Sequence, residues 1–459
     1  MTDLRVLANS ASQVTTALRP AASPVYNRLF WLTYAANTVL VLANALTFRF
    51  AEFVTFLGGT EQLTGMVISV GVLSAVVVRF RLGHDIDACG TRRLWLTSTL
   101  LFAAACGLLI LTHSISWVLY VARIAFSIGI AGMFTCSMVN IQNEVPAGRR
   151  TEAIGSLGTS GFLGMILGSI LGDIAFAALP GGGGRFTLLF SVALALGCVY
   201  LALVFVITHN HNRPRPGRIN PPVHRLIRRY WPGSVMLVAL VMGGGLVVTT
   251  VFLTRMATQR GIANIGTFFV AYSLAALTCR IVTRNWSRTV GRRRMIAVGL
   301  CGHTVGHLLL MTVWSPWQLA APAIFCGLGH GLLFPAVTSL GSGSFPVRFR
   351  GTGTTVALGM CELGVAVASP PLGWIIDAWG FNSMYAVSAA VTVALGTVYL
   401  VRSRSLVDDE QVAVTPTRDN SMTLPTDRPA PPRTTRNAEG DAEPKNTASV
   451  PPKSVDVSA

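Results

Sequence analysis

The chain has 459 residues, of which 51% are hydrophobic and 12% charged, with a formal net charge of +17. A soluble domain carries about 25% charged residues. Polar surface is therefore too scarce here to cover a water-soluble globule of this size, and the surrounding solvent is lipid. The positive charge does not point to nucleic acid as a partner, because the arginines lie between apolar segments instead of forming one basic face.

A spanning helix needs about 20 mostly apolar residues. Twelve such stretches begin near Leu29, Gln62, Leu94, Trp117, Glu152, Phe186, Trp231, Ile265, Met295, Trp317, Gly351 and Phe381. The even-numbered connections and the N-tail hold 23 arginines, among them Arg79 and Arg81 between segments 2 and 3 and Arg280 between segments 8 and 9. The opposite side holds four: Arg49, Arg185, Arg255 and Arg260. Positive charge is retained in the cytoplasm during insertion, so both termini are expected there, in a plasma (inner) membrane. The fold class expected is all-α integral membrane, with twelve transmembrane helices in two pseudo-repeated six-helix bundles.

The expected domains are a cytoplasmic N-tail (1–28), an N-terminal bundle (29–208), a basic cytoplasmic linker (209–230), a C-terminal bundle (231–402) and a tail (403–459). The linker is Pro- and Arg-rich, and Val223–Tyr230 suits a short surface helix. The tail lacks the apolar content to fold and is expected to be disordered. It holds the chain's only lysines, Lys445 and Lys453; scarce lysine with abundant Arg, Ala and Gly points to a GC-rich bacterial genome. No cleavable signal peptide is expected, since residues 1–28 lack a short apolar core followed by small residues. The eight cysteines form no Cys-x-x-Cys and read as small buried hydrophobes.

The two halves repeat. Arg79, Gly90 and Arg92-Arg93 return about 200 positions later as Arg280, Gly291 and Arg293-Arg294, and Gly129, Pro146, Arg150 and Gly164 return as Gly329, Pro346, Arg350 and Gly364. Related membrane halves are the architecture of proteins that rock around a central site.

Four motifs stand on this frame. Between segments 2 and 3 lies Gly83-His-Asp-Ile-Asp87-Ala-Cys-Gly90-Thr-Arg92-Arg93. Its glycines permit a tight turn, and its carboxylate can sit at the positive end of another helix. Arg123 falls inside segment 4, where a buried charge must face a cavity or a partner; the alternative is snorkelling to the outer headgroups. Segment 5 carries Gly155, Gly164, Gly168 and Gly172, a small-residue face suited to close packing at the interface of the halves. Glu362 lies about 16 Å into segment 11 at 1.5 Å per residue. An isolated carboxylate at that depth is expected to be protonated at rest, because burial penalises the charged form. A structural hydrogen bond and direct substrate contact are the alternatives for it.

The first motif resembles the loop motif Gly-x-x-x-Asp-x-x-Gly-x-Arg-Arg of the major facilitator superfamily, and the likeness extends to the architecture of the whole chain. Asp85 and Ala88 depart from the usual pattern. The resemblance implies that Asp87 latches the outward-facing state near Gly351, with Arg92 and Arg93 bridging the halves. It implies a degenerate copy at Arg284 and Arg288. Segment 5 is similar to the family's antiporter motif, with Ser169 in place of proline and Asp173 in place of the last glycine. Arg123 resembles the family's helix-4 arginine, which would tune the carboxylate or hold an anionic group, and Glu362 falls in a region similar to segment 11 of members that carry an acid there; the two are the proton-coupling candidates. Segments 1, 4, 7 and 10 line the family's cavity, which makes Trp31, Tyr34, Asn37, Asn44, His330 and Phe334 cavity candidates. His303 and His307 share a helix face but lack a third ligand, so packing is expected and no metal. Asp173 and Asp377 are expected at a solvated external rim.

The function expected is secondary active transport: proton-coupled efflux of a small organic or amphipathic compound by alternating access. The partners are the substrate, protons and the bilayer. No enzyme activity and no cofactor are expected, and no Gly-x-x-x-x-Gly-Lys-[Ser/Thr] sequence is present to bind ATP. The apolar cavity suits amphipathic or cationic compounds. A proton-coupled importer of a metabolite, and a non-transporting receptor or scaffold acting through its tail, are the rival readings.

Overall fold

A computed structural model describes residues 26–145, 150–179, 181–209, 221–283, 290–346 and 349–403. Most of the expected N-tail, linker residues 210–220 and the tail beyond residue 403 lie outside the described residues, as do Arg284 and Arg288.

The first bundle comprises α1 (Arg28–Phe56), α2 (Glu61–Cys89), α3 (Thr91–Ile110), α4 (Trp117–Glu144), α5 (Arg150–Ala178) and α6 (Gly184–Thr208). The second comprises α7 (Val235–Gln259), α8 (Gly266–Val282), α9 (Arg292–Leu310), α10 (Pro316–Gly343), α11 (350–379) and α12 (381–402). A short helix, Val223–Arg229, lies in the linker. Nine stretches of the described residues are long and apolar enough to cross a membrane. The ninth is α11 and α12 together, which meet at Gly380 with φ 80°. The shorter α8 and the arginine-led α9 complete the twelve.

Gly90 and Gly291 end the α2–α3 and α8–α9 junctions with φ of +79° and +87°. A side chain there would be strained, so the repeated glycine is a backbone requirement. Both α2 and α8 run further than their apolar stretches. Arg79 and Arg280 therefore sit inside helices and not in the loops expected from charge alone. A helix once nucleated gains one backbone hydrogen bond per residue, so a charged residue does not by itself end it.

Small residues set the tight seams. A Cβ on Gly164 or Gly168 would fall 2.5–2.6 Å from the carbonyls of Thr38 and Leu42 in α1. In the second bundle, a Cβ on Gly243 or Gly364 would run into the backbone of Cys361 or Leu240, tying α7 to α11 in the same way. The expectation that the α5 glycines pack at the interface of the halves is thus corrected: Gly164 and Gly168 serve the α1–α5 seam within one bundle. Gly155 has open space around it, and a Cβ on Gly172 would only just reach Leu46 and Arg49. The close approach between bundles is made by α2 and α11, where Gly65 meets Ser369 and Gly373 meets Glu61. Elsewhere the interior is ordinary apolar packing, with the buried Trp95 donating to the Tyr200 hydroxyl at 2.8 Å between α3 and α6.

Candidate functional site

At the end of the molecule that carries the α1–α2 and α7–α8 turns, two carboxylates fasten one bundle to the other. Asp173, near the end of α5, accepts from the Gly266 amide at the start of α8 at 2.6 Å. Asp377, near the end of α11, accepts from the Glu61 and Gln62 amides at the start of α2 at 3.0 and 2.7 Å. The first turn of a helix has unpaired N–H groups and a positive dipole end, so each contact is both a cap and a charge–dipole attraction. Arginines complete each clasp. Arg49 of α1 pairs with Asp173 at 2.5 Å and with Glu52 at 2.9 Å. Arg255 of α7 pairs with Glu61 at 2.6 Å. The Thr254 hydroxyl also donates to the Phe48 carbonyl across the seam. The solvated-rim expectation for Asp173 and Asp377 is therefore corrected: both are engaged in contacts between the bundles.

Further along the α2–α11 seam, Glu362 is not isolated. Arg79 approaches it side-on, with Nε donating at 2.9 Å to one carboxylate oxygen and Nη2 to the other. The third arm of Arg79 donates to the Thr135 hydroxyl of α4 at 3.0 Å. Arg79 is 6% exposed and Glu362 28%, so the pair is mostly withdrawn from solvent. The fork geometry is the strong form of carboxylate binding. The expectation of an isolated Glu362 is corrected by this pairing.

Arg280 of α8 occupies the place in the second bundle that Arg79 occupies in the first. Where Arg79 meets Glu362, Arg280 meets Phe162 of α5, its guanidinium 4.7 Å from the ring centroid, and Phe334 at 5.1 Å. One half thus holds an ion pair and the other a cation–π contact on equivalent helices.

Arg123 does not reach Glu362. Thr135, which touches Arg79, is twelve residues further along α4, about 18 Å at 1.5 Å per residue. Arg123 instead lies over the rings of Phe50 and Phe126 at 4.8 and 5.1 Å. Its Nε and Nη1 are buried without hydrogen-bond partners. Cation–π contacts contribute about 0.5–2 kcal/mol each, against several kcal/mol for placing an arginine in a membrane interior. The guanidinium is under-compensated where it stands. It faces a cavity of about 110 Å³ walled by α1, α2, α7 and α11, including Asn44, Thr47, Phe48, Phe50, Thr250 and Val251. Two walls leave regular helix geometry here: α1 through a 3₁₀ turn at Thr47–Arg49 and α7 through a π turn at Val248–Phe252. Such π turns are common at functional positions.

The other cavity candidates divide. Asn44 lines the space. Asn37, on the same face of α1, instead donates to Ser160 of α5 at 2.6 Å, as interhelical glue. Tyr34 shares a hydrogen bond with Thr159, and Trp31 is 55% exposed beside Tyr26 and Phe30. His330 is stacked on Phe334 and flanked by Tyr272 and Phe162. Trp31, Tyr34, Asn37, His330 and Phe334 are not among the residues that wall this space. His303 and His307 are buried, with His307 against the Ser388 hydroxyl, and no group of three metal-ligating side chains occurs among the described residues. Of the loop motif, Arg93 is exposed and Arg92 lies 5.2 Å from the Phe205 ring in its own bundle rather than bridging the halves. The surroundings of Gly83 and the side chain of Asp87 lie outside what the structure describes.

Sequence reasoning overlooked Arg79 and undervalued Asp173 and Asp377. The repeat carried the missing signal: Arg79 and Arg280 recur at equivalent positions while only one has a carboxylate opposite. Charge counting masked this by assigning both to loops.

The sequence profile of the Major Facilitator Superfamily matches residues 29–263 and 235–435. An uncharacterised MFS-type transporter of Pseudomonas aeruginosa is 27% identical over 164 residues, which span 36% of this chain and 40% of the relative. One from Burkholderia mallei is 22% identical over 397 residues, covering 81% of this chain and 95% of the relative. Among solved structures, the nucleoside transporter NupG superimposes with TM-score 0.67 at 11% identity, covering 82% of this chain and all of that one. The human organic anion transporter MFSD10 gives 0.60 at 14% identity over 81% of this chain and 99% of its own. A POT family transporter in complex with 5-aminolevulinic acid gives 0.66 at 13% identity, with coverage of 82% and 95%. These likenesses carry the fold, and the profile match spans both repeats: the chain belongs to the Major Facilitator Superfamily.

Proposed function

We propose that the protein is a secondary transporter that exchanges protons for a small organic molecule by alternating access, and that its working direction is export. The observation that carries this reading is the Arg79–Glu362 pair, a charge-dependent tie between the two bundles. A proton on Glu362 and the tie to Arg79 exclude one another, so the α2–α11 seam is tied only once the proton has left. Proton binding and bundle movement then become one event.

The arginine distribution supports a clasped end outside the cell. The arrangement then corresponds to a state closed to the exterior, with Glu362 deprotonated and held by Arg79 after the proton has left to the cytoplasm. Substrate enters from the cytoplasm in this state. Opening to the exterior breaks the Asp173 and Asp377 clasps. Protonation from outside accompanies substrate release and returns the protein inward. Asp87 with Gly83, Gly90 and Arg93 forms the opposing cytoplasmic latch, by resemblance to the family motif. Solved structures of the same fold include a nucleoside transporter and an organic anion transporter, which supports a small-molecule substrate. Homologues in Pseudomonas and Burkholderia support a bacterial inner membrane.

The test is substrate-induced proton movement in proteoliposomes carrying wild-type protein or Glu362→Gln, read with a pH-sensitive dye. Proton flux opposite to substrate, lost in the variant, is the expected result. Flux of both in one direction makes the protein an importer. Undiminished proton flux in Glu362→Gln removes Glu362 from the mechanism.

A further inference from the structure

The charges inside the span do not balance. Glu52 and Asp173 are taken by Arg49, Glu61 by Arg255 and Glu362 by Arg79, while Asp377 caps α2. Arg280 lies against the Phe162 and Phe334 rings with no carboxylate, and Arg123 likewise has no ion pair among the described residues, with two of its nitrogens buried without a hydrogen-bond partner. Arg123 is also the one charged residue in the wall of the 110 Å³ cavity, whose other polar walls, Asn44, Thr47 and Thr250, are neutral.

We propose that this cavity binds the negatively charged group of a small organic anion, with Arg123 as its counter-ion, an inference that rests on reading the protein as a transporter. A guanidinium offers a planar fork that matches a carboxylate or phosphate, and burial strengthens the pairing by removing competing water. A cation in the same place would face like charge with nothing to offset it. The volume argues for an organic ligand over a halide ion: a water needs about 10–15 Å³ measured this way, so the cavity accommodates roughly eight water-sized positions. Phe48, Phe50 and Val251 supply apolar contact for the remainder of the molecule. The expectation of cationic compounds, drawn from a cavity thought to be apolar, gives way to this one because the cavity has a net positive wall.

The test uses the purified full chain and two charge series of matched shape: hexanoate, hexanamide and hexylammonium; benzoate, benzamide and benzylammonium. Binding is read as the ligand-dependent rise in melting temperature at constant ionic strength. The carboxylates are expected to stabilise saturably and the amides and ammonium ions to do so far less. Arg123→Gln should weaken carboxylate binding by about tenfold or more, as expected for loss of a charged hydrogen-bond partner, and Arg123→Lys should retain part of it. Thr250→Asp, which places a competing carboxylate in the wall beside an intact Arg123, should weaken it similarly and decides the matter if Arg123→Gln does not fold. The proposal is overturned if an amide or ammonium member binds as well as its carboxylate. It is equally overturned if no carboxylate binds, or if binding survives both Arg123→Gln and Thr250→Asp. Proton flux driven by neutral or cationic compounds would leave the transporter reading intact while removing this one; anion binding without proton flux would do the reverse.

Discussion

Asp173 and Asp377 make equivalent contacts about 200 positions apart: each stands near the end of the fifth helix of its bundle and caps the second helix of the other bundle. The repeat thus yields two clasps related by the pseudo-symmetry of the fold. Both must open for the bundles to part at this end. A charge at a helix N-terminus typically contributes about 0.3–1 kcal/mol, small enough to be broken in every cycle.

Removing both clasps should shift the resting population towards the state open at this end. With Asp173→Ala and Asp377→Ala combined, the expected shift is about 3- to 30-fold. It can be read as faster labelling of a cysteine placed at Thr250 by a membrane-impermeant thiol reagent. Equal labelling in the parent and the double variant would mean that the clasps do not hold this end closed.

The Arg79–Glu362 pair should show strong coupling in a double-mutant cycle. Arg79→Gln or Glu362→Gln alone leaves a partner uncompensated in the interior, expected to cost about 2–3 kcal/mol after allowing for the partial exposure of Glu362. The double variant should melt above at least one of the singles. Additive losses in thermal unfolding would show that the two side chains do not stabilise each other.

Phe162→Glu should give Arg280 the carboxylate that its counterpart Arg79 already has. A second ion pair would then tie α5 to α8 as the first ties α2 to α11. Turnover in proteoliposomes should fall about tenfold if the added tie holds one state by about 1.4 kcal/mol. Turnover at the parent rate would show that the asymmetry between the two seams has no kinetic role.

Substitutions along α5 should separate glycines that are steric requirements from those that are not. Gly168→Ala places a methyl 2.6 Å from the Leu42 carbonyl and should destabilise by about 1–3 kcal/mol. Gly155→Ala, with open space around it, should be neutral or slightly stabilising, through helix propensity. Melting temperatures of the two variants decide this, and a reversed order would contradict the α1–α5 seam.

Much of the architecture was legible because it rests on local properties. Twelve apolar stretches, the arginines between them and the repeated Gly90 and Gly291 each reflect a requirement that a residue meets alone: hydrocarbon compatibility, charge retention or a positive φ. Glu362 and Arg123 stood out for the same reason, as charges in apolar surroundings. Their partners did not, since nothing in the spacing between Arg79 and Glu362 marks them as neighbours, 283 positions apart. The Gly164 and Gly168 face was visible as small residues, but which helix it met was not.

The sequence by itself determined the solvent, the number of spans and their duplication, because hydropathy and charge act through each segment's own contact with lipid and water. Only the tertiary structure decided which charges neutralise one another. Long side chains inside a bundle pair by proximity in space, where the balance between burial and Coulomb attraction is set by geometry. That balance joined Arg79 to Glu362, turned two apparent rim aspartates into clasps and left Arg123 alone beside a cavity.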